Sequence, residues 1–337
     1  MREQWRDLVR LVDHFKGRRV VVVGDLVLDR FWYGTVQRVS REAPVPIVRL
    51  AQTRLLPGCA ANTVWNLSAL GAWPLPVGAV GTDREGDELV ALLAKSGVDT
   101  SLLVPGPGWT TPTKTRILAG TFHGPKQQMV RVDSGEENAF GDALVDQLTR
   151  NLDRALKGAD ALVISDYGYG TAAAVGARRA VAKVPVSALD SRFDMEAFAG
   201  SGLTTATPNE EEFELACQKV VGDDAALLEA EGEALRAKLG LKALLVTRGG
   251  KGMSLFEAGC PALHIPVVGS DQVVDVTGAG DTVISTYVLS LCSGATYPQA
   301  AAIANAAGGI VVQKHGTATT SAEELSRTLH LWGEGEM

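Results

Sequence analysis

The sequence predicts one α/β domain, with a mostly parallel central sheet, helices on both faces and a small β-sheet lid. From residue 73 onward, short apolar runs alternate with stretches of helical spacing, the pattern of β-α-β units. The clearest strand, at 19–25, is centred on four consecutive valines, as in a parallel strand covered on both faces. Residues 31–56 and 110–134 instead combine prolines and alternating residues, which favours exposed strands of the lid.

Composition supports a single domain over residues 1–337. Hydrophobic residues make up 46% of the 337 positions, enough for a sizeable core, and no linker, low-complexity tract or repeat interrupts the chain. The net charge is −7 and the basic residues are scattered, which argues against a nucleic-acid partner. The four cysteines are far apart and form no Cys-x-x-Cys pair, as expected of reduced thiols.

Residues 1–19 have apolar positions at helical spacing, which predicts an amphipathic helix packed on the body. They lack the apolar centre and cleavage site of a signal peptide. No apolar run in the chain approaches the roughly 18 residues of a membrane span. We therefore expect a cytoplasmic protein with no membrane partner.

Two acids follow the first strand, Asp25 and Asp29. Ligands of open α/β sheets bind outside the carboxyl ends of the strands, so both are candidates for a ligand site. The alternative is that one of them caps or turns the loop. We favour Asp29 as a partner of a ligand hydroxyl, whereas the sequence leaves Asp25 undecided.

Residues 57–62 are predicted to open a helix that runs to Leu70 and ends at Gly71. The small residues at its start, including Gly58, permit the close approach of a ligand, and Asn62 is placed to bond ligand hydroxyl groups. Tight packing of the helix on the sheet would explain the same small residues.

Two later strands, 161–165 and 186–190, also end in acids, and Arg192 follows the second of them. The next helix begins after 203–206. Asn209 and Glu212 share one face of this helix, where they can hold Mg²⁺ through its water shell near the phosphates of a nucleotide. The alternative for first-turn acids is an ordinary interaction with the helix dipole.

Residues 244–256 predict a strand, a glycine turn and a second strand, without the Gly-Lys-Ser/Thr ending of a P-loop. A plain hairpin is one interpretation. Thr247 and Gly249 at the carboxyl end of the strand can also contact a nucleotide. The small-residue helix at 297–314 is able to border an adenine or to pack closely.

The stretch from Asp275 to Thr282 organises the rest of the chain. Gly278-Ala279-Gly280 leads into an apolar helix, so the first N–H groups of that helix form an anion hole. Asp281 in the first turn would normally stabilise the helix end. Beside an anion hole, we expect it to accept a proton from a hydroxyl group that attacks a phosphoryl group. The motif therefore favours a kinase.

Taken together, these residues resemble the ribokinase-like (PfkB) carbohydrate kinase family over about residues 20–325. Four landmarks appear in the order of that family: Gly24 with Asp29, Pro57-Gly58-x-Ala60-Ala61-Asn62, Asn209-x-x-Glu212, and Asp275-x-Thr277-Gly278-Ala279-Gly280-Asp281. The resemblance implies ATP and Mg²⁺ as cofactors, Asp281 as the base, and the N–H groups of Ala279 and Gly280 as the anion hole.

The resemblance also implies where the ligands bind. Asp29, Gly58 and Asn62 would hold the sugar. Asp275 and Thr277 match a loop that in many relatives binds a monovalent cation such as K⁺. Four residues would border the nucleotide: Thr247, Gly249, Gly252 and Asn305.

Within the family, further stretches are similar to D-glycero-β-D-manno-heptose-7-phosphate kinases of the lipopolysaccharide pathway: 24–34, 42–46, 127–133, 165–167, 246–248 and 315–319. This similarity implies phosphorylation of the anomeric hydroxyl of heptose 7-phosphate to the 1,7-bisphosphate. Many such relatives carry a second, nucleotidyltransferase domain. Because this chain ends where the kinase part ends, we expect the single-function form.

Three positions depart from that pattern: Cys59 replaces a glycine, and Tyr169 and Arg192 stand where heptose kinases commonly have Lys. We expect Arg192 to bind the phosphate of the substrate. Further candidates lie in the predicted lid: Lys114, Arg116 and Arg131.

Other functions remain open. The main alternative is a related kinase for an unphosphorylated sugar, a sugar acid or a nucleoside, and a non-catalytic sugar-binding protein is less favoured. A Rossmann dehydrogenase is disfavoured because no Gly-x-Gly-x-x-Gly follows the first strand. Exposed strand edges in the lid favour a homodimer.

Overall fold

The computed structural model describes residues 2–120, 124, 126–135, 140–268, 274–314 and 316–334. Its helices are α1 (Arg2–Asp13), α2 (Ala60–Ala69), α3 (Arg84–Lys95), α4 (Asp142–Ala155), α5 (Thr171–Ala174), α6 (Glu210–Cys217), α7 (Ala225–Leu239), α8 (Ala279–Cys292), α9 (Tyr297–Val311) and α10 (Ala322–Glu334). Its strands are β1 (Arg19–Gly24), β2 (Leu26–Val39), β3 (Pro46–Cys59), β4 (Trp73–Val77), β5 (Ala79–Gly81), β6 (Val104–Gly106), β7 (Thr113–Gly120), β8 (Gln127–Ser134), β9 (Ala161–Asp166), β10 (Val186–Ser191), β11 (Thr205–Ala206), β12 (Ala243–Thr247), β13 (Met253–Glu257) and β14 (Leu263–Ile265).

The central sheet has eight strands in the order β14-β13-β12-β11-β10-β9-β1-β4. The strands from β12 to β4 are parallel, and β13 and β14 add an antiparallel edge. Along β1, Val20 and Val22 belong to one buried cluster, and Val21 and Val23 belong to another on the opposite face. The prediction of a mostly parallel sheet covered on both faces is confirmed.

The lid is a separate four-stranded sheet in the order β3-β2-β7-β8. It extends beyond the predicted 31–56, because β2 begins at Leu26 and pairs with Cys59 at the end of β3. Pro57, Gly58 and Cys59 therefore belong to β3, and the helix predicted to open at residue 57 begins at Ala60. Positions 121–123 and 125 of the second predicted lid region lie outside the described residues.

This arrangement places the lid at one edge of the central sheet. β1 ends at Gly24 and the first lid strand starts two residues later, while β3 leads directly into α2. The carboxyl ends of β1, β9, β10 and β12 meet at the same edge, because parallel strands end together. The acids predicted at strand ends are thereby brought under the lid.

No helix in the described part of the chain is long and apolar enough to cross a bilayer. The amphipathic segment at the N-terminus is α1, which packs against α10 near the other end of the chain. The Trp5 and Trp332 rings meet edge to face, with centroids 6.1 Å apart. This contact joins the two ends of the described chain to each other.

Candidate active site

Two adjoining cavities meet at the N-terminus of α8. The first, of about 330 Å³, lies under the lid and is lined mainly by charged and polar side chains. The second, of about 160 Å³, is lined mainly by glycine and apolar residues. Thr247, Val276 and Gly280 line both cavities. A group bound in either cavity is therefore next to the start of α8.

Asp281 lies in the first turn of α8 and is only 6% exposed. Its Oδ2 accepts a hydrogen bond from Asn62 Nδ2 at 2.6 Å, and its Oδ1 accepts one from Thr63 Oγ1 at 3.2 Å. Burial raises the pKa of the carboxyl group to about 6, although the hydrogen bonds from Asn62, Tyr167 and Thr63 lower it. At neutral pH the group is mostly ionised and can accept a proton, as a general base requires.

Gly278 is required by close packing as well as by backbone conformation. Its φ is +78°, in the left-handed region, and a Cβ at this position would lie 2.5 Å from Asn62 Nδ2. Asn62 is itself held by Asn66, whose Nδ2 lies 3.1 Å from Asn62 Oδ1, and Asn66 accepts from Thr282 Oγ1 at 2.7 Å. These buried bonds fix α2 against α8, so Asp281 and its donor Asn62 keep one geometry.

The predicted anion hole has fewer free N–H donors than expected. The N–H of Ala279 donates to the carbonyl of Val276 at 3.2 Å, which closes a turn before the helix. In the described part of the chain, the N–H of Gly280 has no acceptor, and nothing lies within 4 Å of a Cβ built there. Gly280 is thus the open donor of the motif, supported by the dipole of α8.

Tyr167 is a site residue to which the sequence analysis gave no role. Its hydroxyl lies 3.1 Å from Asp281 Oδ1 and 3.0 Å from Asp190 Oδ2. Burial, followed by the negative charge of Asp190, raises the pKa of Tyr167 well above its usual value, so the hydroxyl stays protonated. The single hydroxyl proton cannot be donated fully to both carboxylates at once. Burial, together with repulsion from the charge of Asp281, raises the pKa of Asp190. Only its position after a strand end could have suggested Tyr167 from the sequence.

Replacing Tyr167 by Phe should move the acid limb of the pH–rate profile to higher pH. The hydrogen bond from Tyr167 lowers the pKa of Asp281, so its loss raises that pKa above about 6 and protonates the base at a higher pH. A bond of about 1 kcal/mol corresponds to a shift of about 0.7 pH unit. Measuring kcat/KM from pH 5 to 9 for both proteins tests this. An acid limb at the wild-type pH in Tyr167→Phe would contradict the role given to the hydroxyl.

Asp25, which the sequence left undecided, anchors a loop. Its Oδ2 accepts from the backbone N–H groups of Tyr167 at 2.9 Å and Tyr169 at 3.0 Å, and its Oδ1 accepts from Thr171 at 3.1 Å. The residue is 1% exposed. Asp25 thereby fixes the loop after β9 that presents the Tyr167 hydroxyl to Asp281.

Asp29 lies in the first cavity, paired with the lid. Its Oδ1 accepts a hydrogen bond from Arg116 Nη1 at 2.6 Å. Burial raises the pKa of Asp29, and the charge of Arg116 opposes this shift. A Cβ added at Gly58 would lie 2.9 Å from the carboxyl group, so this glycine makes room for Asp29. Of the predicted sugar-site residues, Asp29 and Asn62 line the cavity and Gly58 supports them from behind.

Asn209 and Glu212 also line the first cavity, and they form a capping box at the start of α6. Asn209 Oδ1 accepts from the N–H of Glu212, and Glu212 Oε2 accepts from the N–H of Asn209, both at 2.9 Å. The alternative interpretation, in which these residues stabilise the start of the helix, is therefore confirmed. Burial raises the pKa of Glu212, and its second carboxylate oxygen is left for another partner.

The Asp275 carboxylate holds two segments together. Its Oδ1 accepts from the N–H of Thr277 at 2.9 Å, and its Oδ2 accepts from the N–H of Gly316 at 3.0 Å. Thr277 and Thr317 line the first cavity, whereas Asp275 lies behind them. The predicted stretch 315–319 is described except for His315, which lies outside the described residues.

All four residues predicted to border a nucleotide line the second cavity: Thr247, Gly249, Gly252 and Asn305. Gly252 has φ +84°, and a Cβ there would lie 2.1 Å from the Ile265 carbonyl oxygen. Asn305 Nδ2 donates to the carbonyl of Pro266 at 2.7 Å. The apolar lining suits an aromatic base, and Gly280, which lines both cavities, suits its phosphates.

The family model that describes the pfkB family of carbohydrate kinases matches residues 18–324. The chain is 40% identical over 325 residues to the bifunctional protein HldE of Nitrosococcus oceani, a match that covers 94% of this chain and 65% of that protein. The chain thus spans less than two thirds of this curated relative.

Solved structures share the fold at lower identity. Arabidopsis thaliana ribokinase complexed with ribose and ATP has a TM-score of 0.69 at 20% identity, over 93% of this chain and 99% of that one. Escherichia coli phosphofructokinase-2 in complex with potassium has a TM-score of 0.73 at 16% identity, over 94% and 99%. The matched family model spans the whole set of site residues, from Asp29 to Asn305. This chain is therefore a member of the pfkB family of carbohydrate kinases.

Proposed function

We propose that this chain transfers the γ-phosphoryl group of ATP to the anomeric hydroxyl of D-glycero-D-manno-heptose 7-phosphate, giving the 1,7-bisphosphate. One observation carries the proposal. A buried carboxylate, Asp281, stands where a cavity lined by cations meets an apolar cavity at a helix N-terminus. That geometry joins an anionic sugar to a nucleotide.

The reaction follows from the two cavities. ATP binds with its base in the second cavity and its phosphates at Gly280, and the sugar binds in the first. Asp281 takes the proton of the anomeric hydroxyl as its oxygen forms a bond to the γ-phosphorus. The bond between that phosphorus and the β–γ bridging oxygen breaks, and ADP leaves. The N–H of Gly280 and the dipole of α8 stabilise the negative charge on the transferred group.

Mg²⁺ would neutralise charge on the ATP phosphates, and Asn209 and Glu212 are the side chains that would hold it through its water shell. In the described part of the chain no three His, Cys, Asp or Glu residues group as metal ligands. This fits an ion that is bound by one or two carboxylates, water and substrate phosphates. Glu212 lines the first cavity and its capping bond uses only Oε2, so its carboxylate is the group that suits the ion.

A monovalent cation such as K⁺ is proposed for the loop of Asp275 and Thr277. The support is twofold: the Asp275 carboxylate shapes this loop against Gly316, and E. coli phosphofructokinase-2 with a related fold binds potassium. The bound ion would fix the loop that carries the start of α8.

The choice of a phosphorylated sugar rests on the charge of the first cavity. Four cationic side chains line it: Lys114, Arg116, Arg131 and Arg192. A phosphate monoester carries about two negative charges at neutral pH, which such a cavity can balance. Four acids line the same cavity, Asp29, Asp190, Glu212 and Asp281, so an unphosphorylated sugar is the second candidate.

Arg192→Ala should weaken the phosphorylated substrate. In the described residues no carboxylate lies within ion-pair distance of the Arg192 guanidinium, and its charge acts on Glu212 only from farther away, so this side chain can contact an anion directly. Loss of a charged hydrogen bond of about 1.5–3 kcal/mol raises KM by roughly 10- to 150-fold. Steady-state assays of ADP release with heptose 7-phosphate and with unphosphorylated sugars measure the preferred substrate and the change in KM.

The two outcomes of these assays separate the claims. A higher kcat/KM for an unphosphorylated sugar would overturn the heptose-phosphate assignment. A preference for the phosphorylated sugar with an unchanged KM in Arg192→Ala would keep the activity and remove Arg192 as the phosphate partner.

The proposal has three further parts. We propose a single kinase domain over 1–337, a cytoplasmic location, and a homodimer formed through the lid. Support for the dimer comes from exposed apolar side chains on the lid: Val39, Ile47, Leu50, Val130 and Val132. β3 and β8 are the two edge strands of that sheet, which a second copy would cover. The cysteines are all free in the structure, as in a reducing compartment.

A further inference from the structure

The four cations that line the first cavity fall into two groups. Arg116 Nη1 is bonded to Asp29 at 2.6 Å, and Arg131 Nε is bonded to Asp133 at 2.9 Å. For Lys114 and Arg192, by contrast, the described residues supply no carboxylate within ion-pair distance. The charges of these two side chains are therefore not neutralised by a direct partner.

Lys114 is the more deeply placed of the two. It lies on β7 of the lid, opposite Asp29 of β2, and is 9% exposed. Its Nζ lies 3.5 Å from Sγ of Cys59. Because burial raises the pKa of this thiol, Cys59 stays neutral and does not balance the ammonium charge. The Asp29 carboxylate on the neighbouring strand attracts this ammonium without contacting it and is itself bonded to Arg116, so an anionic ligand would give the buried cation a direct partner.

Two aromatic rings fix the Lys114 ammonium. Its Nζ is 5.5 Å from the centroid of the Tyr167 ring and 5.8 Å from that of Tyr169. Both rings belong to the loop that Asp25 holds through backbone N–H groups. Cation–π contacts orient an ammonium without neutralising it. With one of its three N–H donors directed at Cys59, the group keeps donors for the cavity that it lines.

We infer that Lys114, carried into the site by the lid, binds the phosphate group of the sugar substrate and makes the enzyme select phosphorylated sugars. The inference rests on the proposed function. Tyr169, at the loop position where similar kinases have Lys, supplies no charge itself and instead packs its ring against Lys114. Together, Lys114 and Arg192 match the roughly two negative charges of the phosphate. The phosphorylated substrate thereby connects the lid to the central sheet.

Lys114→Met tests this because it keeps an unbranched side chain of nearly the same length and removes the charged ammonium group. With heptose 7-phosphate, we expect kcat/KM to fall about 10- to 150-fold, mainly through KM. With the same heptose lacking the phosphate, kcat/KM should stay within about twofold. Lys126→Met is the matched control: Lys126 directly precedes β8 of the same lid, its ammonium lies over the Tyr33 ring, and it does not line the cavity, so the loss should stay below about threefold.

Each outcome decides a separate point. Equal losses of Lys114→Met on both sugars, or no loss on the phosphorylated one, overturn the inference alone. A wild-type preference for the unphosphorylated sugar overturns the proposed function and this inference with it. Lys114→Gln, together with calorimetric ATP binding to the second cavity, verifies that a loss does not come from misfolding.

Discussion

Asp281→Asn should lower kcat by roughly 10²- to 10⁴-fold, the usual contribution of a positioned general base. The amide cannot accept the proton of the sugar hydroxyl, but it keeps the size of the side chain and can still accept the bond from Asn62. The fold, the melting temperature and ATP binding should therefore change little. Steady-state kinetics at saturating ATP and sugar measure the effect directly.

A matched substitution separates catalysis from helix stabilisation. Asp142 occupies the first turn of α4 and is exposed, so Asp142→Asn removes an ordinary dipole partner and should leave kcat unchanged. The Asp142→Asn control should retain the wild-type rate. If Asp281→Asn also retained most of that rate, Asp281 would be a helix-start residue and not the base. A pH profile adds a second check, since wild-type kcat/KM should fall as the pH drops below about 6.

Asp25→Ala should cost about 2–5 kcal/mol in the free energy of unfolding. The substitution leaves three backbone N–H groups without their acceptor, at Tyr167, Tyr169 and Thr171, in a region where water cannot freely replace it. The loop would also release Tyr167 from Asp281, so kcat should fall as well. Urea unfolding gives the stability change, and kinetics at a temperature where the variant is folded give the rate.

Asp99→Ala is the surface counterpart of this change. The Asp99 carboxylate accepts a backbone N–H from Ser101 at 2.9 Å, but the residue is exposed, so water replaces the bond and the change should stay within about 0.5 kcal/mol. A similarly small value for Asp25→Ala would show that the loop does not depend on Asp25. A large stability loss with full activity in the folded variant would instead uncouple the loop from the base.

Local sequence predicted the parts of this protein that depend on neighbouring residues. The four consecutive valines of β1 require a strand buried on both faces, and Gly278 to Asp281 requires a tight entry into a helix. The residues predicted to border a nucleotide were also found together, because the glycine turn and the small-residue helix each contribute a wall. Such signals lie within a few positions, where backbone conformation and side-chain size decide the outcome.

Boundaries were less predictable. The lid strands continue to Leu26 and Cys59, although Gly58 and Cys59 suggested a helix start, because pairing with β2 decides their conformation. Cys59 even adopts φ +52°, which a residue other than glycine seldom does. Asn209 and Glu212 form the capping box that was the alternative to a metal site, and both also line the first cavity, so their role in holding Mg²⁺ stays a prediction.

The sequence by itself determined the family of folds, the helix that carries Asp281 and the set of residues predicted to border a nucleotide, which line one cavity. Only the tertiary structure decided which side chains contact Asp281 and which line the cavity beside it. Asn62 lies 219 positions from Asp281, and Tyr167 lies 114 positions from it. The position of Lys114 between two tyrosine rings likewise depends on the lid meeting a loop of the central sheet. The physical reason is that burial and hydrogen bonds between distant segments determine the pKa values of these groups and which charges lack a direct partner. A local sequence pattern gives no information about such contacts.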